Sequence, residues 1–177
     1  RRPRLLDGDP PELLVYDELA PCPYLDGEQA RLPMRLPVRP LTEAEFDLRL
    51  RRGERRQGLL LYRPNCPSCR ACEAIRIDVR EYLPNKTQRR ILRKGDGLFR
   101  IEQGAPSLSE ERVALYNLHK EGRGLMGDGD PIDPSGYGAF LVDSCVESFE
   151  LRYRIDGDLR GVAVVDRGSD GLSAVYT

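Results

Sequence analysis

Three of the five cysteines of the chain lie within seven residues, in the stretch RPNCPSCRACEAIRI at 63–77. Cys66, Cys69 and Cys72 are separated by two residues each, so a curled loop can direct all three thiolates at one centre. Thiolates bind soft metal ions and iron–sulfur clusters, and the same spacing opens the ligand run of bacterial ferredoxins. A structural zinc site usually has two separated pairs, so a fourth ligand must come from elsewhere, and Cys22 is the best candidate. These residues predict a metal ion or cluster, with three reduced loop thiols as the alternative.

The fifth cysteine and the single histidine are not predicted to do chemistry. Cys145 lies among helix and strand residues, where a buried small hydrophobe is the favoured interpretation. His119 lies on a predicted helix and is interpreted as a packing or surface residue. No Ser-His-Asp or Cys-His arrangement has further support in the sequence.

Charge is distributed unevenly, although the net charge of the 177 residues is only −1. Residues 63–100 hold 10 basic and 4 acidic side chains, whereas residues 101–177 hold 7 basic and 14 acidic ones. A cationic block around the cysteines suggests contact with a polyanion, and ordinary surface charge is the alternative.

The length and composition bound the class of protein. The length suits one large domain or two small ones, and no apolar run is long enough for a membrane-spanning helix. No signal peptide is visible, and an odd number of clustered cysteines favours a reducing, cytoplasmic compartment. The first residue is not Met and the last residues read as a strand, so we expect a trimmed chain that is truncated at its C-terminus.

The elements that must position the cysteines can be read from local signals. Thr42 and Glu45 form a capping box that predicts a helix over 42–52, and a strand over 58–63 leads into the cysteine loop. Ile75, Ile77 and Val79 alternate with charged residues, which predicts a half-buried strand after the loop. Residues 1–40 are rich in proline and turn formers, which places Cys22 on a loop.

A second helix, predicted over 85–95, carries five cations. Asn85 and Gln88 supply its capping box, and Ile91 and Leu92 are the only candidates for core anchors. Because this apolar face is so small, we expect the helix to have a role other than packing.

The second half of the chain reads as a linker, two helices and a meander. The linker is predicted over 103–109, the helices over 108–121 and 136–143, and an acidic loop over 122–136 joins the helices. Three antiparallel strands follow over 147–155, 159–166 and 172–177, with Asp-Gly pairs at both turns.

Six blocks of this sequence resemble the aminoacyl-tRNA–protein transferases, and most closely their bacterial leucyl branch. They are CPYLDGEQARL, YRPNCPSCRACEAIRI, NKTQRRILRK, the helix around Leu115-Tyr116, ELRYRIDGDL and GVAVVDRGSDGLSAVYT. Their order and approximate spacing agree with the family across about residues 15–177. One departure is that the family's helix often ends in Arg-His, whereas Arg123 is followed here by Gly124.

The resemblance implies a fold and a domain division. The fold is α/β of the α+β kind, with a small cysteine-containing, basic N-terminal domain over 1–105. Residues 106–177 begin a GNAT-like acyltransferase domain with an antiparallel central sheet, truncated at the C-terminus.

The resemblance also implies a reaction and its partners. The family moves an amino acid from aminoacyl-tRNA to the α-amine of a protein that begins with Asp or Glu, and the product is degraded. Because the ester is already activated and a free α-amine has a pKa of about 7.7–8.0, positioning and oxyanion donors matter more than a strong base. No membrane or DNA partner is implied.

Site residues follow from the matching motifs. The cysteines Cys22, Cys66, Cys69 and Cys72 match family positions where the related arginyl enzymes hold an iron–sulfur cluster or zinc. For the tRNA we expect Gln88, Arg89, Arg90, Arg93 and Lys94, of which the cations contact phosphates, and for the acceptor carboxylate Arg76. The E-x-R-Y run matches Glu150, Arg152 and Tyr153, which are expected to line the catalytic cleft unless they only form cross-strand pairs.

Two alternatives stay open at this point. Arginyl transfer differs from leucyl transfer only in its side-chain pocket, which would be acidic for arginine and apolar for leucine. A non-catalytic, metal-stabilised RNA-binding module would suit the cysteines and the basic block, but would leave the acidic half without a role.

Overall fold

A five-stranded antiparallel sheet dominates the N-terminal region of the computed structural model, which describes residues 2–126 and 129–177. The strands are β1 (Arg4–Leu6), β2 (Glu12–Tyr16), β5 (Met34–Pro37), β6 (Arg55–Gln57) and β7 (Leu60–Tyr62), in the order β1-β2-β5-β7-β6. Two further strands, β3 (Leu19–Pro21) and β4 (Gln29–Arg31), form a separate ribbon. Sequence patterns predicted only β7, because the other strands are three to five residues long and lie among turn formers.

Helix α1 (Glu43–Arg51) confirms the prediction over 42–52. The Glu45 N–H donates to the Thr42 hydroxyl at 3.3 Å, and the Thr42 N–H donates to the Glu45 carboxylate at 2.8 Å. Phe46 is 1% exposed and packs in one buried cluster with Leu41, so α1 is anchored at its first turn. Gly53 follows the helix with φ of 74°, a conformation that favours glycine.

The strand predicted over 75–79 is wrong. These residues have no regular secondary structure, and the side chains of Ile75, Ile77 and Val79 are 88%, 62% and 81% exposed. Alternation of apolar and charged residues favours a strand only where a neighbouring strand accepts its hydrogen bonds. No strand among the described residues pairs with this segment.

The second half of the chain forms one four-stranded antiparallel sheet with helices beside it. Its strands are β8 (Arg100–Gly104), β9 (Ser148–Ile155), β10 (Asp158–Arg167) and β11 (Leu172–Tyr176), in the order β11-β10-β9-β8. The meander of β9, β10 and β11 confirms the prediction, and Asp156-Gly157 turns with φ of 51° and 93°. The predicted linker over 103–109 is wrong in its first two residues, which belong to β8.

The helices of this half match their predicted positions. They are α3 (Glu110–Gly122) and α4 (Pro134–Tyr137), and α4 continues directly into a single π-helical turn, Gly138–Val142. The loop predicted over 122–136 overlaps the helices at its ends, because Gly122 belongs to α3 and residues 134–136 belong to α4. Between them the described residues form no helix or strand, and residues 127 and 128 lie outside the described residues.

The two sheets share a buried contact region. Leu61 of β7 and Phe46 of α1 pack in one cluster with Cys145 and Val146, which precede β9. Cys145 is 4% exposed, which confirms it as a small buried hydrophobe, and burial raises the pKa of its thiol to about 11. Across residues 2–126 and 129–177, every helix is too short or too polar to cross a lipid bilayer. The domain boundary between 105 and 106 stays a prediction.

Candidate functional site

The cationic helix α2 (Lys86–Asp96) lies on the surface without a buried side chain. Its start confirms the predicted capping box, because the Gln88 N–H donates to Asn85 at 2.9 Å and the Asn85 N–H donates back to Gln88 at 2.8 Å. The helix runs past Gly95 to Asp96, with Gly97 as its C-cap.

The prediction of core anchors on α2 is wrong. Ile91 and Leu92 are 60% and 56% exposed, so they do not bury the helix against either sheet. Four predicted phosphate ligands lie on this exposed helix, namely Arg89, Arg90, Arg93 and Lys94. Arg89 also donates to the carbonyl of Pro84 at 2.6 Å, which leaves part of its guanidinium for an external anion. A helix that has no buried side chain and presents several cations has the charge and accessibility that a phosphate backbone requires.

The four predicted metal ligands line one cavity of about 530 Å³, here called the cysteine cavity. Cys22 comes from the loop after β3, and Cys66, Cys69 and Cys72 come from the loop after β7. Four arginines also line this cavity: Arg52, Arg55, Arg63 and Arg70. The structure therefore brings together thiols that are 44 residues apart in the sequence.

Hydrogen bonds hold the two cysteine loops beside each other. The Asn65 N–H donates to the Arg31 carbonyl of β4 at 2.8 Å, and the Ser68 hydroxyl donates to Glu28 at 2.9 Å. Among the described residues, no three side chains of His, Cys, Asp or Glu come close enough together to hold a metal ion. The donor set suits a soft metal or cluster, whereas the present side-chain positions do not converge on one centre.

Arg76, the predicted ligand of the acceptor carboxylate, lies at the C-terminal end of α1. Its guanidinium donates to the carbonyls of Leu50 and Arg51. Cations suit this end of a helix, where carbonyl groups lack intrahelical partners. Its role toward an acceptor stays a prediction.

A second cavity, of about 200 Å³, lies between α3 and the second sheet and is called the aromatic cavity. Its aromatic lining includes Tyr116 of α3, Tyr137 of α4, Tyr153 of β9 and Tyr176 of β11. The rings of Tyr116 and Tyr176 are 5.2 Å apart between centroids, and His119 contacts the Tyr176 ring at 6.1 Å. Of these four tyrosines, only Tyr153 was predicted from the sequence as a site residue.

Burial controls the tyrosine hydroxyls of this cavity. It raises the pKa of Tyr116 and Tyr137, and it raises the pKa of Tyr176 to about 12. All three hydroxyls are therefore protonated donors at neutral pH. The hydroxyl of Tyr176 is buried with no partner in hydrogen-bond geometry among the described residues.

A buried ion-pair cluster borders the aromatic cavity. Glu150 is 1% exposed, and its two carboxylate oxygens accept hydrogen bonds from Arg112 of α3 and from Arg152. Arg152 also faces Glu102 of β8 at 3.6 Å, directly across the strand pair. With both oxygens occupied, Glu150 positions two arginines in this geometry. Catalytic roles for Glu150, Arg152 and Tyr153 stay predictions.

Sequence reasoning missed Arg112 and most of the tyrosines because nothing local marks them. Arg112 reads as an ordinary charge in the first turn of a helix, yet it is 8% exposed and its pKa is raised by the hydrogen bond to Glu150. The E-x-R-Y run could have indicated such a partner, because a carboxylate on a buried strand requires a cation and that cation can come from another element.

Comparison with known protein families gives one match in the N-terminal part of the chain and one in the C-terminal part. Residues 20–90 match the family described as "Arginine-tRNA-protein transferase, N terminus", and residues 111–177 match "Arginine-tRNA-protein transferase, C terminus". The first match covers the cysteine cavity and the first five residues of α2, and the second covers the aromatic cavity. The chain belongs to the aminoacyl-tRNA–protein transferase family.

Individual relatives bear a narrower name. An aspartate/glutamate leucyltransferase of Chromobacterium violaceum is 39% identical over 89% of this chain and 64% of its own length. Those of Thiobacillus denitrificans and Halorhodospira halophila are 40% and 37% identical, each over 88% of this chain and over 65% and 66% of their own lengths. This chain therefore spans a little under two thirds of these curated relatives.

Proposed function

We propose that this chain belongs to an enzyme that transfers leucine from leucyl-tRNA to the N-terminal Asp or Glu of acceptor proteins in the cytoplasm, marking them for degradation. The observation that carries the proposal is the similarity, over 88–89% of the chain, to relatives named aspartate/glutamate leucyltransferase. Both the cysteine cavity and the aromatic cavity lie inside the two family matches.

The exposed helix α2 supports binding of the tRNA. Each Lys or Arg that neutralises a phosphate releases condensed counterions, which makes such binding favourable at low salt. Arg90, Arg93 and Lys94 are exposed and follow each other along the helix, as a backbone-tracking surface requires. Gln88 is engaged in the capping box, so its contribution to RNA binding is indirect.

The second sheet supports the acyl-transfer half of the proposal. A strand, two helices and an antiparallel three-stranded meander follow one another from β8 to β11, an order that suits a GNAT-like acyltransferase domain. The α-amine of the acceptor attacks the ester carbonyl, a C–N bond forms, and the C–O bond to the tRNA breaks. The amine proton ends on the released 3′-hydroxyl, so no external oxidant or reductant is required.

Protonated hydroxyls suit the charge that develops in this reaction. A tetrahedral intermediate carries an oxyanion, and fixed donors in a site that excludes water stabilise it. The Tyr176 hydroxyl is a buried donor with no partner in hydrogen-bond geometry among the described residues, and its pKa of about 12 means that it is protonated at neutral pH.

The cysteine cavity would hold a zinc ion or an iron–sulfur cluster on Cys22, Cys66, Cys69 and Cys72. Such a group would fix the loop after β7 to the loop after β3, and an iron–sulfur cluster would add sensitivity to oxidation. Anaerobic purification, metal analysis and an ultraviolet–visible spectrum distinguish the two. A colourless, metal-free protein with four reactive thiols would contradict this part of the proposal.

The transfer reaction itself is tested with the complete protein, labelled leucyl-tRNA or arginyl-tRNA, and peptides that begin with Asp or with Ala. We expect leucine on the Asp peptide only. Arginine transfer would favour the arginyl alternative, and tight tRNA binding without transfer from either donor would favour the RNA-binding module.

A further inference from the structure

The aromatic cavity has an aliphatic side that the tyrosines do not account for. Leu115 of α3, Leu141 of the π-helical turn, and Val162 and Val164 of β10 line it together. An apolar cavity of about 150 Å³ is large enough to take a benzene ring, whereas sites for drug-sized ligands start at about 300 Å³. At about 200 Å³, the aromatic cavity suits one amino-acid side chain better than a nucleoside.

The charged side chains that line this cavity among the described residues disfavour a cationic occupant. The described residues that line it include the cations Arg112 and Arg160 but no carboxylate. Glu150 lies behind Arg112, with both of its oxygens already bound to arginines. A guanidinium in the cavity would meet two arginines and no side-chain carboxylate among the described residues. Burying a charge without a counter-ion is costly.

One polar group inside the cavity, the Tyr176 hydroxyl, has no partner in hydrogen-bond geometry among the described residues, although Tyr116 is close enough to influence its pKa. The Tyr176 hydroxyl is buried, and its ring stands 5.2 Å from Tyr116 and 6.1 Å from His119. A ligand with an apolar end and a carbonyl group would supply both the missing acceptor and the missing apolar contact.

We propose that the aromatic cavity is the specificity pocket for the donor amino acid, with the leucyl side chain packed against Val162 and the ester carbonyl near the Tyr176 hydroxyl. This inference rests on the proposed function and deepens it, because it names the residues that select leucine over arginine and over larger or smaller side chains.

Val162 offers a direct test because it is only partly buried and lines the cavity. The complete protein is assayed with leucyl-, phenylalanyl- and alanyl-tRNA as wild type, Val162→Ala and Val162→Phe. One methylene in an apolar pocket changes selectivity by about 10–200-fold. We expect Val162→Ala to lower the leucyl/phenylalanyl ratio of kcat/KM at least about tenfold, and Val162→Phe to lower the leucyl/alanyl ratio by a similar factor.

Val165→Ala is the matched control, since it makes the same change three residues along β10 and does not line the cavity. It should leave both ratios unchanged. If the Val162 variants lower kcat/KM for all three donors by the same factor, the cavity binds a part that every donor shares, and the inference is overturned. Leucine transfer by the wild-type protein would still support the proposed function in that case.

A binding measurement keeps the inference testable even without transfer. N-acetyl-leucine methyl ester should shift the ring signals of Tyr116 and Tyr176 in NMR spectra of the wild type, but not of Val162→Phe. The arginine analogue should shift neither. If the leucine ester leaves the wild-type tyrosine signals unmoved, the pocket assignment is wrong whatever reaction the enzyme catalyses.

Discussion

The guanidinium of Arg56 donates to the carboxylate of Asp166 at 2.8 Å, and the two side chains are 0% and 1% exposed. They lie 110 residues apart, Arg56 on β6 of the first sheet and Asp166 on β10 of the second. Arg56 also donates to the carbonyls of Gly58 and Asp143, and Asp166 accepts from Ser148. This pair fixes the sheet that leads to the cysteine loop against the sheet that forms the aromatic cavity.

Substitution of Arg56 should be strongly destabilising. Arg56→Met leaves Asp166 buried without its cation, and breaking one partner of a buried pair costs about 3–5 kcal/mol. Urea unfolding measures the loss. Arg160→Met is the control, because Arg160 and Asp158 form an exposed pair whose removal costs no more than about 1 kcal/mol. If both variants lost the same free energy of unfolding, the Arg56–Asp166 pair would not hold the two sheets together.

Gly58 lies close to the backbone of the π-helical turn. A Cβ atom added there would stand 2.2 Å from the carbonyl oxygen of Ala139, and φ at Gly58 is 57°. Gly58→Ala should therefore lower the free energy of unfolding by more than about 1 kcal/mol. The comparison is Gly97→Ala, which meets no atom within 4 Å and has φ of −89°. A tolerated Gly58→Ala would show that the π-helical turn is not held against the first sheet.

The N-terminal cap of α1 should make the stability of the protein depend on pH in the acidic range. Hydrogen bonds from Arg39, and then from the Thr42 N–H, lower the pKa of Glu45 from 4.5 to about 2. A carboxylate with a lowered folded-state pKa stabilises the protein above pH 4.5, and this contribution disappears as the pH falls toward 2.

Glu45→Gln tests this dependence because it keeps the shape of the cap and removes its charge. At pH 7 the variant should be less stable than the wild type by up to about 1 kcal/mol, and the difference should vanish near pH 2. Urea unfolding at several pH values gives both numbers. If the difference in the free energy of unfolding between the variant and the wild type stayed constant as the pH falls, the charge of Glu45 would not be what stabilises the cap.

Local signals in the sequence predicted those helices and strands whose ends are set by capping or turn residues. The capping residues Thr42 and Asn85 located α1 and α2, and the two Asp-Gly pairs located the meander. The spacing of Cys66, Cys69 and Cys72 predicted one centre with Cys22 as its fourth ligand, and the family resemblance implied the same set. The structure places all four around one cavity.

Features that depend on distant parts of the chain were not predictable in this way. The alternation at 75–79 looks like a strand, but pairing requires a neighbour that local sequence cannot reveal. Arg112 gains its role only because α3 lays it beside Glu150, and Tyr116 lines a cavity only because β11 brings Tyr176 next to it. Such contacts follow from tertiary packing, whereas caps and turns follow from neighbouring residues.

The central claim is that the exposed cations of α2 bind the phosphates of the donor tRNA, and its most direct test is the salt dependence of tRNA binding. In the complete protein, Arg89, Arg90, Arg93 and Lys94 are changed to glutamine together, and circular dichroism confirms that the fold is kept. A matched control neutralises four exposed arginines outside α2, namely Arg2, Arg4, Arg123 and Arg167.

Each lost phosphate contact lowers the slope of log K against log salt concentration by about 0.7–0.9. We therefore expect the α2 variant to lose about 3 units of slope and the control to lose almost none. An α2 variant with the wild-type affinity and the wild-type slope at every salt concentration would contradict the claim.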